Sequence, residues 1–299
     1  MLRSHGRYDY SGITERADYA WPNGARLAVY LGVNLEHFAF GEGLGAELAP
    51  GGPQPDVLNF AWRDWGNRVG AWRLFALLDD LGLPASVLVN SAMYPYAPSL
   101  MAAVRARGDE IVGHGRTNSE RQSVLSEDDE RTLIAEATAT ITAAEGTAPR
   151  GWLSPWIAES HATPDLLAEA GYRYTLNWCM DDQPIWMRTR AGPLLSIPYP
   201  QEANDIPSIV ARKDGAAEFA AILLDGFEEM LGQSASQPLV MGIALHPYIV
   251  GQPHRLRQLR RVLGHIAGQR GKIWFTTAGA IFDHIVSLPP GTVPGGPTR

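Results

Sequence analysis

Eight short aliphatic or β-branched runs recur along the chain, with apolar residues at helical spacing between most of them. The runs are LAVYLGV (27–33), ASVLV (85–89), EIVGH (110–114), RGWL (150–153), YRYTL (172–176), LLSIP (194–198), LVMGIAL (239–245) and KIWFTT (272–277). Short, nearly continuous apolar strands suit a parallel sheet covered on both faces, and parallel neighbours need a long crossover between them, usually a helix. The expected fold class is therefore α/β: a single distorted (β/α) barrel of about seven to eight parallel strands.

The intervening segments carry helix punctuation. Leu74, Leu77, Leu78 and Leu81 repeat at i, i+3, i+4 and i+7, and the run stops at Gly82 and Pro84. Ser126 precedes an acidic first turn, EDDE, which suits the positive end of a helix expected to run to about Thr142. Thr163 is placed as an N-cap with Pro164 at N1, and Gly171 lies past the end. The stretches 41–56, 180–193 and 288–299 are rich in Gly, Pro and polar residues and read as loops, the first of them expected to fold over the barrel mouth. No repeat or break in composition divides the 299 residues. One barrel domain, 1–299, is expected, with its core over 20–285, a polar N-terminal extension and a Pro/Gly-rich tail.

Charge narrows the partners. The chain carries a formal charge of −7, and no run of Lys or Arg stands out, so a nucleic-acid partner is not expected. The first 21 residues are polar and charged, without the apolar centre of a secretory signal, and no stretch has the roughly 18 apolar residues of a membrane span. The single cysteine, Cys179, has no partner for an internal disulfide. These features point to a cytoplasmic protein acting on a small molecule, with a homo-oligomer left open.

In a barrel of this kind chemistry gathers where the strands end. The first run ends in Asn34, Glu36 and His37; the third in His114, followed by Asn118; the fourth brings Arg150 and Trp152; the fifth leads to Asp181 and Asp182; the penultimate ends at His246. Each group alone has an ordinary structural explanation, such as a helix start or a solvated turn. Together they place carboxylates and three histidines at one mouth. Alternation along a strand puts Asn34 and Glu36 on one face and His37 on the other, unless the strand stops before Glu36, when both Glu36 and His37 can reach the mouth. Trp152, Trp156, Trp178 and Trp186, with Tyr199 and Phe38, flank these motifs and would wall a small flat ring or a sugar chain equally well.

The segments WPNGARLAVYLGVNLEHF, EIVGHGRTN, RGWLSPW, MDDQPIW and LHPYIVGQPHR, in this order, resemble the polysaccharide-deacetylase superfamily, which includes the nodulation-type chitooligosaccharide deacetylases and is associated with carbohydrate metabolism. More closely they resemble its small-molecule branch of cofactor-independent allantoinases and cyclic imide hydrolases, over about residues 20–285. Deacetylases of the superfamily use an Asp-Asp pair and a His-x3-His pair, one Asp acting as base and the other three residues holding a divalent metal. Here Glu36 and His37 stand at the acidic pair, and His114 with Asn118 replaces the two histidines. The resemblance leaves two metal sets open, His37 and His114 with the amide oxygen of Asn118, or Glu36 with the two histidines; equally, no metal is present. Zinc is the ion expected if one is bound, although an amide is a poor zinc ligand.

The chemistry implied is hydrolysis of an amide-type C–N bond. Glu36 would take the proton of the attacking water, His114 or an ion would stabilise the oxyanion, and His246 would protonate the leaving nitrogen, oriented by Asp181 or Asp182. Asn34, Asn118, Arg150, Trp152, Trp178 and Trp186 are the expected substrate contacts. The first expectation is a hydrolase that opens a small cyclic ureide or imide. The alternatives are a metal-dependent N-deacetylase of a polysaccharide or oligosaccharide, and an inactive barrel used as a binding protein.

Overall fold

The computed structural model describes residues 4–296. It contains nine strands: β1 (Leu27–Leu35), β2 (Ser86–Val89), β3 (Glu110–Gly113), β4 (Gly151–Trp152), β5 (Tyr174–Thr175), β6 (Ile185–Met187), β7 (Leu194–Ser196), β8 (Leu239–Leu245) and β9 (Ile273–Thr276). They form one sheet in the order β6-β7-β5-β4-β3-β2-β1-β8, with β9 also paired to β1. All pairings are parallel except β6 with β7. The helices are α1 (Val57–Trp65), α2 (Ala71–Leu81), α3 (Met93–Tyr96), α4 (Pro98–Arg107), α5 (Glu127–Glu145), α6 (Thr163–Glu169), α7 (Ala216–Gln233), α8 (Pro247–Val250), α9 (Pro253–Gly268) and α10 (Ala278–Ser287).

Every residue of β1 is buried, because the strand is covered on both faces. Its odd-numbered residues, Leu27 to Leu35, join Met241 and Ile243 beneath the helices. Ala28 and Tyr30 point the other way and meet Leu88, Val112, Tyr174, Leu176, Val240 and Ala244. Side chains from opposite ends of the sheet meet there only because the sheet curls into a half-barrel. The seam between the edge strands β6 and β8 is not closed by a ladder. It is spanned by the segment after β7, through the bridge between Asn204 and Ala244, and by the Val240 N–H, which donates to the Asp182 carbonyl.

Helix punctuation follows the side-chain chemistry. Ser126 accepts the amide of Asp129 at the start of α5, and Gly82 ends α2 in the left-handed conformation. Thr163 does not cap α6. Its hydroxyl accepts from the Ser160 amide and donates to Glu130, while Ala162 stands at the cap. The stretch 180–193 is not all loop, since the antiparallel β6 forms within it. No residue of the 41–56 loop lines the cavity at the strand ends. Leu44 donates to the Ser119 carbonyl, and Leu48 and Ala49 to the Asn59 amide oxygen, which pins the loop beside α1.

Between α1 and α2 the chain makes one π-helical turn, Gly66–Gly70. A Cβ on Gly66 would lie 2.6 Å from the Cβ of Tyr248, and one on Gly70 2.2 Å from the carbonyl oxygen of Pro247. Two glycines one turn apart therefore let this helix touch the backbone of α8, the segment that follows His246. Among the described residues no helix is long and apolar enough to cross a membrane.

Candidate active site

A cavity of about 540 Å3, counted with its open mouth, lies at the C-terminal ends of β1, β3, β4, β7 and β8. Its polar lining is Asn34, Glu36, His114, Asn118, Ser154, Gln201, Asn204 and His246; its aromatic walls are Phe38, Trp156, Tyr199 and Tyr248. No Lys or Arg lines it.

Glu36 is the centre of this arrangement. Oε1 accepts the Asn118 amide at 2.6 Å and faces Nε2 of His246 at 3.4 Å and Nε2 of His114 at 3.5 Å; Oε2 accepts the Tyr248 hydroxyl at 2.9 Å. Its backbone carbonyl accepts from Asn67, on the π-helical turn. Burial alone would raise the Glu36 carboxyl. The charge of His246 and the contacts to both histidines outweigh that and hold it at about 2. Glu36 is therefore an anion at neutral pH.

His246 is held from behind by Asp205. The Nδ1–H donates to Oδ1 at 2.6 Å, and the backbone N–H of His246 donates to Oδ2 at 2.7 Å. Burial opposes the imidazolium, but the two carboxylates, Asp205 and Glu36, overcome it and raise His246 to about 10. Burial also pushes Asp205 up, against the pull of His246. The resting state is an imidazolium between two carboxylates.

His114 is fixed by its other ring nitrogen. Nδ1 lies 2.7 Å from the Leu153 carbonyl, which can only accept, so Nδ1 carries hydrogen. Nε2 is left facing Glu36 and the cavity, buried and without a hydrogen-bond partner.

No family model matches the chain. A Schizosaccharomyces pombe protein provisionally named a polysaccharide deacetylase is 24% identical over 290 residues, covering 86% of this chain and 89% of the relative. A solved Pseudomonas aeruginosa PAO1 structure, provisionally named a polysaccharide deacetylase, superposes with a TM-score of 0.79 at 27% identity, covering 88% and 92% of the two chains. The PuuE allantoinase superposes with a TM-score of 0.80 at 26% identity, covering 90% and 93%. Over most of its length the chain is similar to proteins of the polysaccharide-deacetylase superfamily.

The chain does not assemble either metal set that its motifs left open. β1 ends at Leu35, yet only Glu36 turns into the cavity. The backbone of His37 is fixed on both sides: its N–H donates to Asn90 Oδ1 at 2.8 Å and its carbonyl accepts the Asn118 amide at 2.9 Å. The ring is therefore directed the other way, against Tyr96 and beside Asp64 and Phe60. The side-chain oxygen of Asn118 is engaged by Asn90 and its nitrogen by Glu36. Among the described residues no group of three or more His, Cys, Asp or Glu side chains is arranged to hold a metal ion. The unpartnered Nε2 of His114 is the single feature that suits a ligand role, and one imidazole does not make a zinc site.

The other expected site residues divide by strand end. Asn34, Glu36, His114, Asn118 and His246 come together. Asn34 donates to the Tyr199 hydroxyl at 3.0 Å, steadying one aromatic wall. Asp181 and Asp182 do not reach His246. Asp181 is paired with Arg16 at 2.6 Å, and Asp181 and Asp182 line a different cavity at the barrel seam with Met230 and Met241. Arg150 pairs with Asp283 on the outside of the barrel. Trp152 is buried behind the wall and donates to Gln122 and Ser154; Trp178 donates to Glu159; Trp186 packs on Phe282 and the backbone of Gly295. None of these four lines the cavity.

Asp205 and Tyr248 were not found from sequence. Asp205 lies in EANDIP, beyond the run LLSIP, where the fold bends the chain across the seam to His246. Tyr248 stands two residues after His246, and on a helix start it can face the same cavity. A polar residue after the sixth run was the available signal for Asp205, but its pairing is entirely tertiary.

Proposed function

We propose that this protein is a hydrolase that opens the amide-type C–N bond of a small, uncharged cyclic ureide or imide. The observation that carries the reading is the line Glu36–His246–Asp205 at the base of the cavity, with 3.4 Å between the first pair and 2.6 Å between the second. A water attacking the carbonyl carbon gives its proton to Glu36, and as the C–N bond breaks His246 gives its Nε2 proton to the leaving nitrogen. The low pKa of Glu36 belongs to the resting ion pair; once His246 has lost its proton, the charge that held Glu36 down is gone. Return of the proton from Glu36 to His246 restores the starting state. Asp205 keeps the ring oriented throughout.

The cavity supports an uncharged substrate. Its lining offers neutral amides, hydroxyls and four aromatic faces; it has no Lys or Arg, and its one cation, the His246 imidazolium, is already flanked by Asp205 and Glu36. Ring opening creates a carboxylate, which the site has no reason to retain. The likeness to the PuuE allantoinase supports the same substrate class.

A second reading, N-deacetylation of an oligosaccharide, is favoured by the names of the S. pombe and P. aeruginosa relatives and would use the same proton path. Purified protein assayed against allantoin, hydantoin, succinimide and N-acetylglucosamine oligomers separates the two. Turnover of a ring amide with one carboxylate formed per ring is expected. Acetate release from the oligomers without ring turnover would replace the first reading with the second.

A further inference from the structure

Glu159 takes no part in this proton path, yet it fastens one wall of the cavity. The segment after β4 presents Trp156 and Ile157 to the cavity with φ of 63° and 53°. L side chains rarely adopt that region, a β-branched one least of all, and such backbone persists only where its surroundings enforce it. On one side Trp156 Nε1 donates to the Asn118 carbonyl at 2.8 Å. On the other, Glu159 Oε1 accepts Asn177 Nδ2 at 2.6 Å and Oε2 accepts Trp178 Nε1 at 2.8 Å. The same Asn177 accepts the Ser154 amide at 2.7 Å and donates to the Ser154 hydroxyl at 2.9 Å. One amide thus ties both ends of the strained segment, and Glu159 closes the tie.

We propose that Glu159 is a positioning residue that holds the Trp156–Ile157 wall in its ligand-accepting shape, and that it does so only as a carboxylate. Both oxygens accept from N–H groups that cannot reverse. A protonated acid must itself donate one hydrogen, and Asn177 or Trp178 then loses its acceptor.

The neighbourhood sets this latch near neutrality. Burial raises the carboxyl to about 7, against the hydrogen bonds from Asn177 and Trp178. From α5, the carboxylate of Glu130 adds to the rise; from the N-terminal segment, Arg7 opposes it but is itself paired with Asp165. His5 and Tyr8 stack on Trp178 from the same segment. The latch is closed above this pH and released below it.

The kinetic arm rests on the proposed hydrolysis; the spectroscopic arm does not. In Glu159→Gln, KM for a ring substrate should rise by about tenfold with kcat within about threefold, and the fall of kcat/KM below pH 7 should disappear. Separately, tryptophan fluorescence is titrated from pH 5 to 9 in a His5→Gln background, which removes the neighbouring imidazole. A transition near 7 is expected, absent after Glu159→Gln and moved to higher pH after Trp178→Phe, which deletes one donor to the ionised form. Circular dichroism confirms that each variant is folded. A transition unchanged in both variants overturns the proposal even if no substrate is found, as does an unchanged KM and pH profile in a folded, active Glu159→Gln enzyme.

Discussion

Asp205 grips His246 twice, through the ring Nδ1–H at 2.6 Å and the backbone N–H at 2.7 Å, so one carboxylate sets both the position of the histidine and the direction of its ring. It is also the nearer of the two anions that hold the imidazolium. Asp205→Asn should therefore move the alkaline limb of kcat/KM, placed near 10 by His246, to lower pH and lower kcat by about 10²–10⁴-fold. The same linkage has a stability sign. A histidine raised from 6.5 to about 10 contributes stability that is complete below 6.5 and lost as pH rises through 10, so chemical denaturation of the wild type and Asp205→Asn should differ most at and below neutral pH. A variant with the wild-type alkaline limb would return Asp205 to a purely structural role.

Glu36→Gln tests the base. Turnover should fall by about 10²–10⁴-fold while the circular dichroism spectrum is kept. Glu36 is held below its ordinary 4.5, so it contributes stability that is present above 4.5 and lost as pH falls through about 2. The melting temperature of the variant should lie below that of the wild type at pH 7, and the gap should narrow in acid. Activity within threefold of wild type would exclude Glu36 as the base.

The metal question is decided by two histidines that the structure sends in different directions. His37→Ala should change kcat by less than about threefold, because its ring packs on Tyr96, whereas His114→Ala, which removes a group facing Glu36, should cost about tenfold or more. Dialysis against a strong chelator should leave turnover unchanged. Stoichiometric zinc by elemental analysis, with activity lost on its removal and restored by its return, would overturn the geometric conclusion that the motif residues do not form its site.

The glycines of the π-helical turn supply a test of packing. Gly70→Ala would place a methyl group 2.2 Å from the Pro247 carbonyl oxygen, which forces the helix and α8 apart. We expect a loss of about 1–3 kcal/mol in urea denaturation, together with a lower kcat as Tyr248 is displaced from Glu36. A variant as stable as the wild type would show that the two backbones are not tightly opposed.

How much was legible in the sequence follows from the range of the interactions concerned. The apolar runs are local signals, and eight of them formed the parallel strands in nearly the expected places. β6 escaped because its three residues pair antiparallel with β7 inside a stretch rich in turn residues. Among site residues, Glu36, His114 and His246 were readable because each follows a strand directly, and Asn118 because it lies in the short loop just beyond His114; the C-terminal strand ends of a curled parallel sheet converge. The aspartates at 181 and 182 were misread for a related reason. They lie further along a loop, and a loop residue is placed by its partners, here Arg16 and the β8 backbone, not by the strand before it.

Sequence alone determined the α/β alternation, the candidate strand ends and the residue types able to move protons, since all three depend on side chains within a few positions of one another. Only the tertiary structure decided which of two neighbours, Glu36 or His37, enters the cavity. The alternation rule allowed both once the strand stopped at Leu35, and the choice fell to Asn90 and Asn118, contributed by the ends of two other strands, whose hydrogen bonds fix the His37 backbone. It also decided that Asp205 stands behind His246, because the two are 41 residues apart and meet only where the segment after β7 is bridged to β8. A buried ion pair of this kind records the path of the whole chain, and no local pattern of residues carries that information.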